Sequence, residues 1–481
     1  ALGAPTNERG KRVGQLYASV PGGSIGVSRP VCPVYALTDI LHSPIQVPAS
    51  GVAVLPNIWD PVEIFSREEM EQLQVARVRD CLSSIKQRVS FYREQLAGIE
   101  PGSIQSLADL ARLPFTNKQD LRDNYPFGLF AAPMSDVVRI HASSGTTGKP
   151  TVVGYTANDI ETWAGLAARA LSLAGVTRDD IVQNAYGYGL FTGGLGLHYG
   201  VEKLGAAVVP VSSGNTARQV MLLQDFGTTV LCATPSYALV LAEGAAEAGY
   251  DLPAGPLRVG IFGAEPWSEQ MRTEIESRLG ITALDIYGLS EVMGPAVAME
   301  CTHKTGMHIA EDHFIPEIID PETSEQLPLG QQGELVFTCV TKEALPLIRY
   351  RTRDLARLLP GDCPCGRTTV RMEKVLGRND DMLIIRGVNV FPSQIETVLL
   401  AIGQVEPNYQ LVLERGDDHL DDLEVLVESA SEPSRHMELR RRLGTDLRNA
   451  LGIGCSVTIL GLGEIARSEG KAVRVIDNRQ I

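Results

Sequence analysis

No apolar run in the 481 residues reaches the roughly eighteen that a membrane span requires, and no charged-then-apolar segment opens the chain as an export signal would. No membrane partner is expected, and a cytoplasmic location is the default. A basic surplus is missing too: 43 Lys and Arg stand against 58 Asp and Glu, a net charge of −15. Without an extended basic surface, nucleic acid is not an expected partner, and an anionic small molecule would need a local basic site. Eight cysteines (Cys32, Cys81, Cys232, Cys301, Cys339, Cys363, Cys365, Cys455) in so long a chain are too sparse for a disulfide scaffold, and thiols are expected. Residues 1–57 lack acids apart from Glu8 and Asp39, lack a sustained hydrophobic period, and are rich in Gly, Pro, Ser and Val. They read as a leader or loosely packed extension. No internal repeat or low-complexity tract is visible, and the length exceeds one ordinary core, so two or three domains are expected.

What is present is organised around Ser143-Ser144-Gly145-Thr146-Thr147-Gly148-Lys149-Pro150, which follows the apolar-leaning Val137-Val138-Arg139-Ile140. Two glycines let the backbone approach an anion, hydroxyls and backbone N–H groups can donate to phosphate oxygens, and Lys149 adds a point charge. A nucleoside triphosphate is the expected ligand. The spacing differs from the common P-loop: Gly145 and Gly148 are too close, and Pro150 stands where that motif opens a helix with a magnesium-binding hydroxyl. A different nucleotide-using fold is called for.

Ser66-Arg67-Glu68-Glu69 is a capping box that predicts a helix through Leu73, Val75, Val78, Leu82 and Ile85, within a helical subregion that extends to about Tyr125. A helix from Asn158 to near Gly175 and strands at Ile181–Asn184, Ala207–Val211 and Thr229–Ala233 imply a parallel α/β sheet. Leu257 to Pro266 and Ala283 to Glu291 both read as buried strands leaving their sheet at a glycine-containing loop, the place where open α/β sheets bind ligands. Beyond Glu311 the pattern becomes β-rich, with strands near Phe314–Ile319, Gly333–Val340 and Asp354–Leu358. After the polar link Gly377-Arg378-Asn379-Asp380-Asp381 the last hundred residues suffice for a small α+β domain, with a strand at Leu423–Val427 and a helix at His436–Leu451. Tyr186, Tyr188 and Phe191, set among Gly187, Gly189, Gly193 and Gly194, read either as core aromatics or as a flat pocket wall cleared by the glycines. His198 reads as a structural histidine. The cysteine exception is Cys363-Pro364-Cys365: two thiolates one residue apart at a turn can share a metal, and Cys301 with His308 completes a Cys3His set for a structural Zn2+, His303 being the alternative fourth ligand.

The phosphate loop, Tyr287-Gly288-Leu289-Ser290-Glu291, Tyr350-Arg351-Thr352-Arg353-Asp354, the Gly377–Asp381 link and Arg467-Ser468-Glu469-Gly470-Lys471 occur in one order. In this the chain resembles the adenylate-forming superfamily of acyl-CoA synthetases, adenylation domains and luciferase. It is most similar to the phenylacetate–CoA ligases, through His141 to Pro150, Tyr186 to Gly194, Glu311 to Glu317 and Arg386 to Ser393. The resemblance covers roughly residues 58–481. It implies a large α/β region with a β-rich subdomain at 58–379, binding ATP and an aryl acid, and a mobile α+β lid at 380–481 hinged at Asp380. It also implies ATP and coenzyme A as co-substrates with Mg2+. Ser143, Ser144, Gly145, Thr146, Thr147, Gly148 and Lys149 would hold the β- and γ-phosphates, and Glu291 would lie near the magnesium. Gly263, Ala264 and Glu265 would form the adenine-side wall, with Tyr287 stacked on the base and Gly288 and Ser290 beside it. Asp354 would bind the ribose hydroxyls, Arg378 the nucleotide, and Lys471 the substrate carboxylate and α-phosphate. Gly263, Ala264, Gly288 and Pro295 would complete an acid pocket with Tyr186, Tyr188 and Phe191. Phenylacetate is the favoured acid. A benzoate such as anthranilate, or a carrier protein in place of free coenzyme A, stays open, as does a homodimer.

Overall fold

The computed structural model describes residues 58–143, 150–378, 382–386, 388–415, 421–468 and 470–479. The leader reading of 1–57, most of the phosphate loop (Ser144 to Lys149) and the hinge residue Asp380 lie outside the described residues.

The chain enters through the helix Arg67–Arg88, whose first turn is closed by the expected box: Ser66 Oγ accepts from Glu69 N and the Glu69 carboxylate accepts from Ser66 N. Its inner stripe of Met70, Val78, Leu82 and Ile85 is buried. The stretch before the phosphate loop, Val137–Ser143, and the stretch after it, Thr151–Thr156, form an antiparallel hairpin of their own. Next comes the helix Ala157–Leu173, started by Thr156.

The parallel and β-rich regions expected from the sequence share one mixed sheet. In spatial order, Ala207–Val209, Ile181–Asn184, Val230–Ala233, Val259–Gly263 and Thr282–Leu289 are parallel neighbours. From Gly294–Glu300 onward the sheet continues antiparallel through Met307–Ile309, Arg371–Met372, Leu347–Leu359, Gln332–Cys339 and Phe314–Ile319. Burial on both faces explains the near-continuous apolar character of Val230–Ala233 and Val259–Gly263.

The strand expected at Asp354–Leu358 is longer, beginning at Leu347. Its arginines hid it. Arg349 is buried against Glu317 at 2.9 Å, and Arg351 reaches the buried Glu334 at 2.5 Å, so charged residues occupy positions where alternation leads one to expect apolar ones. The C-terminal stretch builds a separate four-stranded sheet in the order Ser456–Leu460, Asp421–Glu428, Tyr409–Arg415, Val475–Asp477. Helices Pro392–Ala401 and His436–Leu451 complete it around a core that includes Leu411, Val425, Leu443 and Leu447. Among the described residues no helix is long and apolar enough to cross a membrane.

Candidate active site

Backbone sterics shape the sheet wall of the site. A Cβ on Gly263 would lie 2.1 Å from Ile286 O, and one on Gly288 would lie 1.8 Å from Gly294 O. Only hydrogen fits at either position, so adjacent strand ends close up tightly while Ala264, at φ 71°, turns the chain out of the sheet. Tyr287 leaves the same edge and donates through its hydroxyl to Asp354 Oδ2 at 2.6 Å. Asp354 stands opposite Arg378 in strand register, with Arg378 Nη1 3.5 Å from Asp354 Oδ1. Asp354 is 7% exposed, so the aromatic face, the carboxylate and the guanidinium form one fixed group at the rim.

Glu291 follows on the turn between Thr282–Leu289 and Gly294–Glu300, and its side chain faces Lys118 Nζ at 3.7 Å. Lys118 was invisible to sequence reasoning. It is brought here because Thr116 bridges onto the strand Leu347–Leu359: its N–H donates to Arg349 O at 3.2 Å, and Arg351 N donates to its carbonyl at 2.8 Å. Asn117 then caps the helix Lys118–Asp123. Ser290 Oγ lies 2.9 Å from Thr192 Oγ1, tying the Glu291 turn to the aromatic loop. A single carboxylate whose lysine partner stands beyond direct hydrogen-bond distance suits Mg2+, which takes oxygen ligands from one or two carboxylates and from substrate phosphates.

In the aromatic loop Tyr186 is buried and Phe191 is open at 37% exposure. The Tyr188 hydroxyl accepts from Asn184 Nδ2 at 2.9 Å and lies 3.3 Å from His198 Nδ1, while His198 Nε2 faces Glu202 at 3.2 Å. His198 is thus a structural histidine, as expected. The glycines act differently from the cleared space that sequence suggested. A Cβ on Gly193 would strike the Phe191 ring at 2.4 Å and one on Gly194 the Gly187 carbonyl at 2.5 Å, whereas Gly189 has nothing within 4 Å. Gly193 and Gly194 serve close packing of the loop on itself. Pro295 holds the other flank, its carbonyl accepting from Trp163 Nε1 at 3.0 Å. Leu190 O takes Ala142 N at 3.0 Å and lies 3.0 Å from His141 Nδ1, so this loop is pinned to the hairpin that carries the phosphate loop.

Lys471 enters from the C-terminal stretch, its Nζ 5.7 Å from the Phe191 ring centroid. Burial pulls its pKa down, Glu265, Asp354 and Glu291 oppose the fall, and Arg378 adds to it. The loop is held on both sides of the lysine: Thr234 Oγ1 donates to Gly470 O at 2.9 Å, and Ala472 N donates to Glu265 Oε2 at 2.9 Å. The other Glu265 oxygen accepts from Ser236 N at 2.8 Å and from its hydroxyl at 2.5 Å. One oxygen of this expected adenine-side residue therefore holds the lysine loop, and the other is anchored by Ser236.

Apart from this cleft, Cys301, His308, Cys363 and Cys365 each offer a ligand atom within 4.8 Å of the others. Cys301 Sγ is 3.6 Å from Cys363 Sγ, and Cys365 Sγ is 3.4 Å from His308 Nε2. His308 Nδ1 lies 3.0 Å from Thr369 Oγ1, which fixes the ring with Nε2 toward the thiols. His303 is exposed and stands outside the group. The acids of Glu311-Asp312-His313 are occupied elsewhere: Glu311 pairs at 2.8 Å with the half-exposed Arg67 of the helix Arg67–Arg88, and Asp312 at 2.7 Å with the buried Arg169 of the helix Ala157–Leu173, ties that staple these two helices to the sheet.

Residues 70–339 match the AMP-binding enzyme family, and residues 387–479 match the AMP-binding enzyme C-terminal domain. The phenylacetate-coenzyme A ligase of Escherichia coli (strain K12) is 53% identical over 431 residues, covering 88% of this chain and 98% of that protein. Among solved structures, 2-hydroxyisobutyryl-CoA ligase in the postadenylation state with 2-HIB-AMP superimposes with a TM-score of 0.82 at 29% identity, over 86% of this chain and 91% of that one. The same ligase with 2-HIB-AMP and CoA in the thioesterification state gives 0.65 at 30% identity, over 87% and 91%. By the matched family model and by its identity to these curated relatives, the chain belongs to the phenylacetate-coenzyme A ligases of the AMP-binding enzyme family.

Proposed function

We propose that this chain joins phenylacetate, or an aryl acid of closely similar shape, to coenzyme A through an acyl-adenylate. The observation that carries this reading is Lys471, presented to the cleft that holds Glu291, Asp354 and Arg378 by a loop docked at Thr234 and Glu265. A carboxylate is a poor electrophile. Its oxygen attacks the α-phosphorus of ATP, the bond to the β-phosphate breaks and pyrophosphate leaves; the coenzyme A thiol then attacks the acyl carbon, loses its proton, and AMP leaves. In the first step two anions approach each other, and the Lys471 ammonium offsets the charge gathering between them. Asp354 and Arg378 hold the ribose side, Tyr287 covers the base, and Gly263 and Gly288, by letting the strand ends close up, set with Ala264 the wall against which nucleotide and acid lie. Ser143 and the Ser144–Lys149 loop take the outer phosphates, joined by Lys118. Glu291 would hold Mg2+, which would supply positive charge against the phosphates.

We read residues 58–379 as the adenylation domain and 380–481 as a lid turning about Asp380, with 1–57 a leader. The lid would carry Lys471 away so that coenzyme A can enter. The greater likeness to the postadenylation than to the thioesterification arrangement supports placing this conformation on the adenylate-forming side. Zn2+ at Cys301, His308, Cys363 and Cys365 would be purely structural, cross-linking the β-rich strands. Free thiols among the described residues fit a cytoplasmic setting.

Tyr186, Tyr188, Phe191 and Pro295 would line the pocket for the acid. The test is kcat/KM for AMP formation with coenzyme A across phenylacetate, benzoates and octanoate. Phenylacetate should lead octanoate by at least about 100-fold, the scale of several misplaced methylenes, and a preference for octanoate would overturn the assignment.

A further inference from the structure

Lys342 is 2% exposed, and the mechanism above does not use it. A lysine so deeply buried is unusual, because desolvation penalises the ammonium; here burial pulls its pKa down to about 8, with Cys339, Asp159 and Glu291 opposing the fall. Its position is fixed by the backbone on either side. The strand Gln332–Cys339 leads into it, and the following Glu343 and Ala344 N–H groups both donate to the buried Asp159 carboxylate, at 2.6 and 2.9 Å.

The Lys342 ammonium points beneath the turn that carries Glu291. Three successive carbonyls of this turn face inward, and each meets one side chain. Lys342 Nζ donates to Glu291 O at 3.3 Å, Cys339 Sγ to Val292 O at 3.6 Å, and the Tyr155 hydroxyl to Met293 O at 2.6 Å. Val292 and Met293 are fully buried, where an unsatisfied carbonyl would be costly. The donors are themselves coupled, since Lys342 Nζ stands 4.3 Å from the Tyr155 ring centroid. With the turn held from below, the Glu291 side chain is left pointing up toward Lys118.

We propose that Lys342, Cys339 and Tyr155 form a cradle that positions Glu291, with Lys342 as its charged member. The inference rests on the reading of Glu291 as the carboxylate that meets Mg2+. A neutral donor would satisfy a carbonyl at less desolvation cost; a charged donor makes a bond roughly twice as strong, which suits a turn that must hold its carboxylate still against a cation. These are positioning residues, acting on the metal through Glu291 and touching neither substrate nor metal.

The test uses the full-length protein with a non-hydrolysable ATP analogue and Mn2+ as a paramagnetic stand-in for Mg2+. The Mn2+ Kd is read by electron paramagnetic resonance, beside the phenylacetate KM and the melting temperature. Lys342→Met should raise the Mn2+ Kd about ten-fold or more, the scale of losing a partner that orients a metal ligand, while the phenylacetate KM stays within about two-fold. Tyr155→Phe should raise the Kd by about three-fold, the loss of one neutral hydrogen bond. Glu291→Gln is the control. If it leaves the Mn2+ Kd unchanged, the assignment of Glu291 has failed and the cradle with it. If Glu291→Gln weakens Mn2+ but both cradle variants bind it like wild type, the cradle alone is refuted, including when Lys342→Met only lowers the melting temperature. Should Lys342→Met not fold, a stable Tyr155→Phe with wild-type Mn2+ affinity is sufficient to overturn the proposal.

Discussion

The two walls of the cleft are held by different forces. The sheet wall is set by close contact: Gly263 and Gly288 have no room for a Cβ, and the strands behind them are buried on both faces. The wall that brings Lys471 rests on polar ties, Thr234 to Gly470, Ala472 to Glu265, and Arg467 between Glu243 at 3.0 Å and Glu428 at 2.8 Å. Close packing is all-or-none and tolerates little displacement. Partly exposed polar ties are individually weak and can be exchanged for water at small net cost. In the proposed two-step cycle the first wall would stay and the second would leave between half-reactions.

The largest effect expected from breaking this contrast comes at Gly288. Gly288→Ala would force Gly294 and its strand outward, displacing Tyr287 and Glu291 together. Both half-reactions, assayed separately, should fall by at least about 100-fold, the penalty of roughly an ångström of misplacement at reacting groups. A loss confined to one step would show that this wall is less unitary than its packing suggests.

If the thiol cluster holds zinc as proposed, it should stabilise the rigid side alone. Protein purified without chelator should contain about one equivalent of zinc, as one four-ligand site requires. Cys363→Ser should lower the melting temperature by several degrees and the zinc content to near zero, while the half-reactions of the protein that stays folded keep their ratio. Metal-free wild-type protein with full stability would remove the zinc from the account.

The smallest effect is expected on the movable side. Glu243→Gln takes a charge from the tie to Arg467 and leaves Arg467 paired with Glu428. A partly exposed contact of this kind is worth about 0.5–1 kcal/mol. The ratio of thioester formation to adenylate formation should therefore rise by about two- to five-fold, and a fall in the ratio would mean that the contact does not favour the adenylating arrangement.

Regular patterns were legible in the sequence where one physical rule acts alone. The strand Phe314–Ile319 and the helix His436–Leu451 have the bounds that their apolar spacing predicts. Ser66 and Glu69 announced the first helix because a capping box is local chemistry. Legibility failed where distant residues settle the matter. Arg349 and Arg351 look like loop residues until Glu317 and Glu334 are brought opposite them. Lys118 and Lys342 carry no spacing signal, since a lone lysine is usually solvated, and their partners lie 173 and 51 residues away. Glu265 was legible as a residue of the site, but its hold on the Ala472 N–H, 207 residues distant, appears only in the fold. The thiol cluster was legible as a set: Cys363 and Cys365 by spacing, Cys301 and His308 as the pair expected to complete it, and the fold brings these four together and leaves the alternative His303 outside.

In the proposed cycle the C-terminal wall delivers Lys471 for adenylation and withdraws it for thioester formation. Lys471→Ala tests this most directly when the two half-reactions are measured apart. Adenylate formation, followed by pyrophosphate release, should drop by about 100- to 1,000-fold, the scale of losing one charge partner in the transition state. The same variant, supplied with presynthesised phenylacetyl-adenylate and coenzyme A, should form the thioester at close to the wild-type rate. An equal fall in both steps would contradict the account.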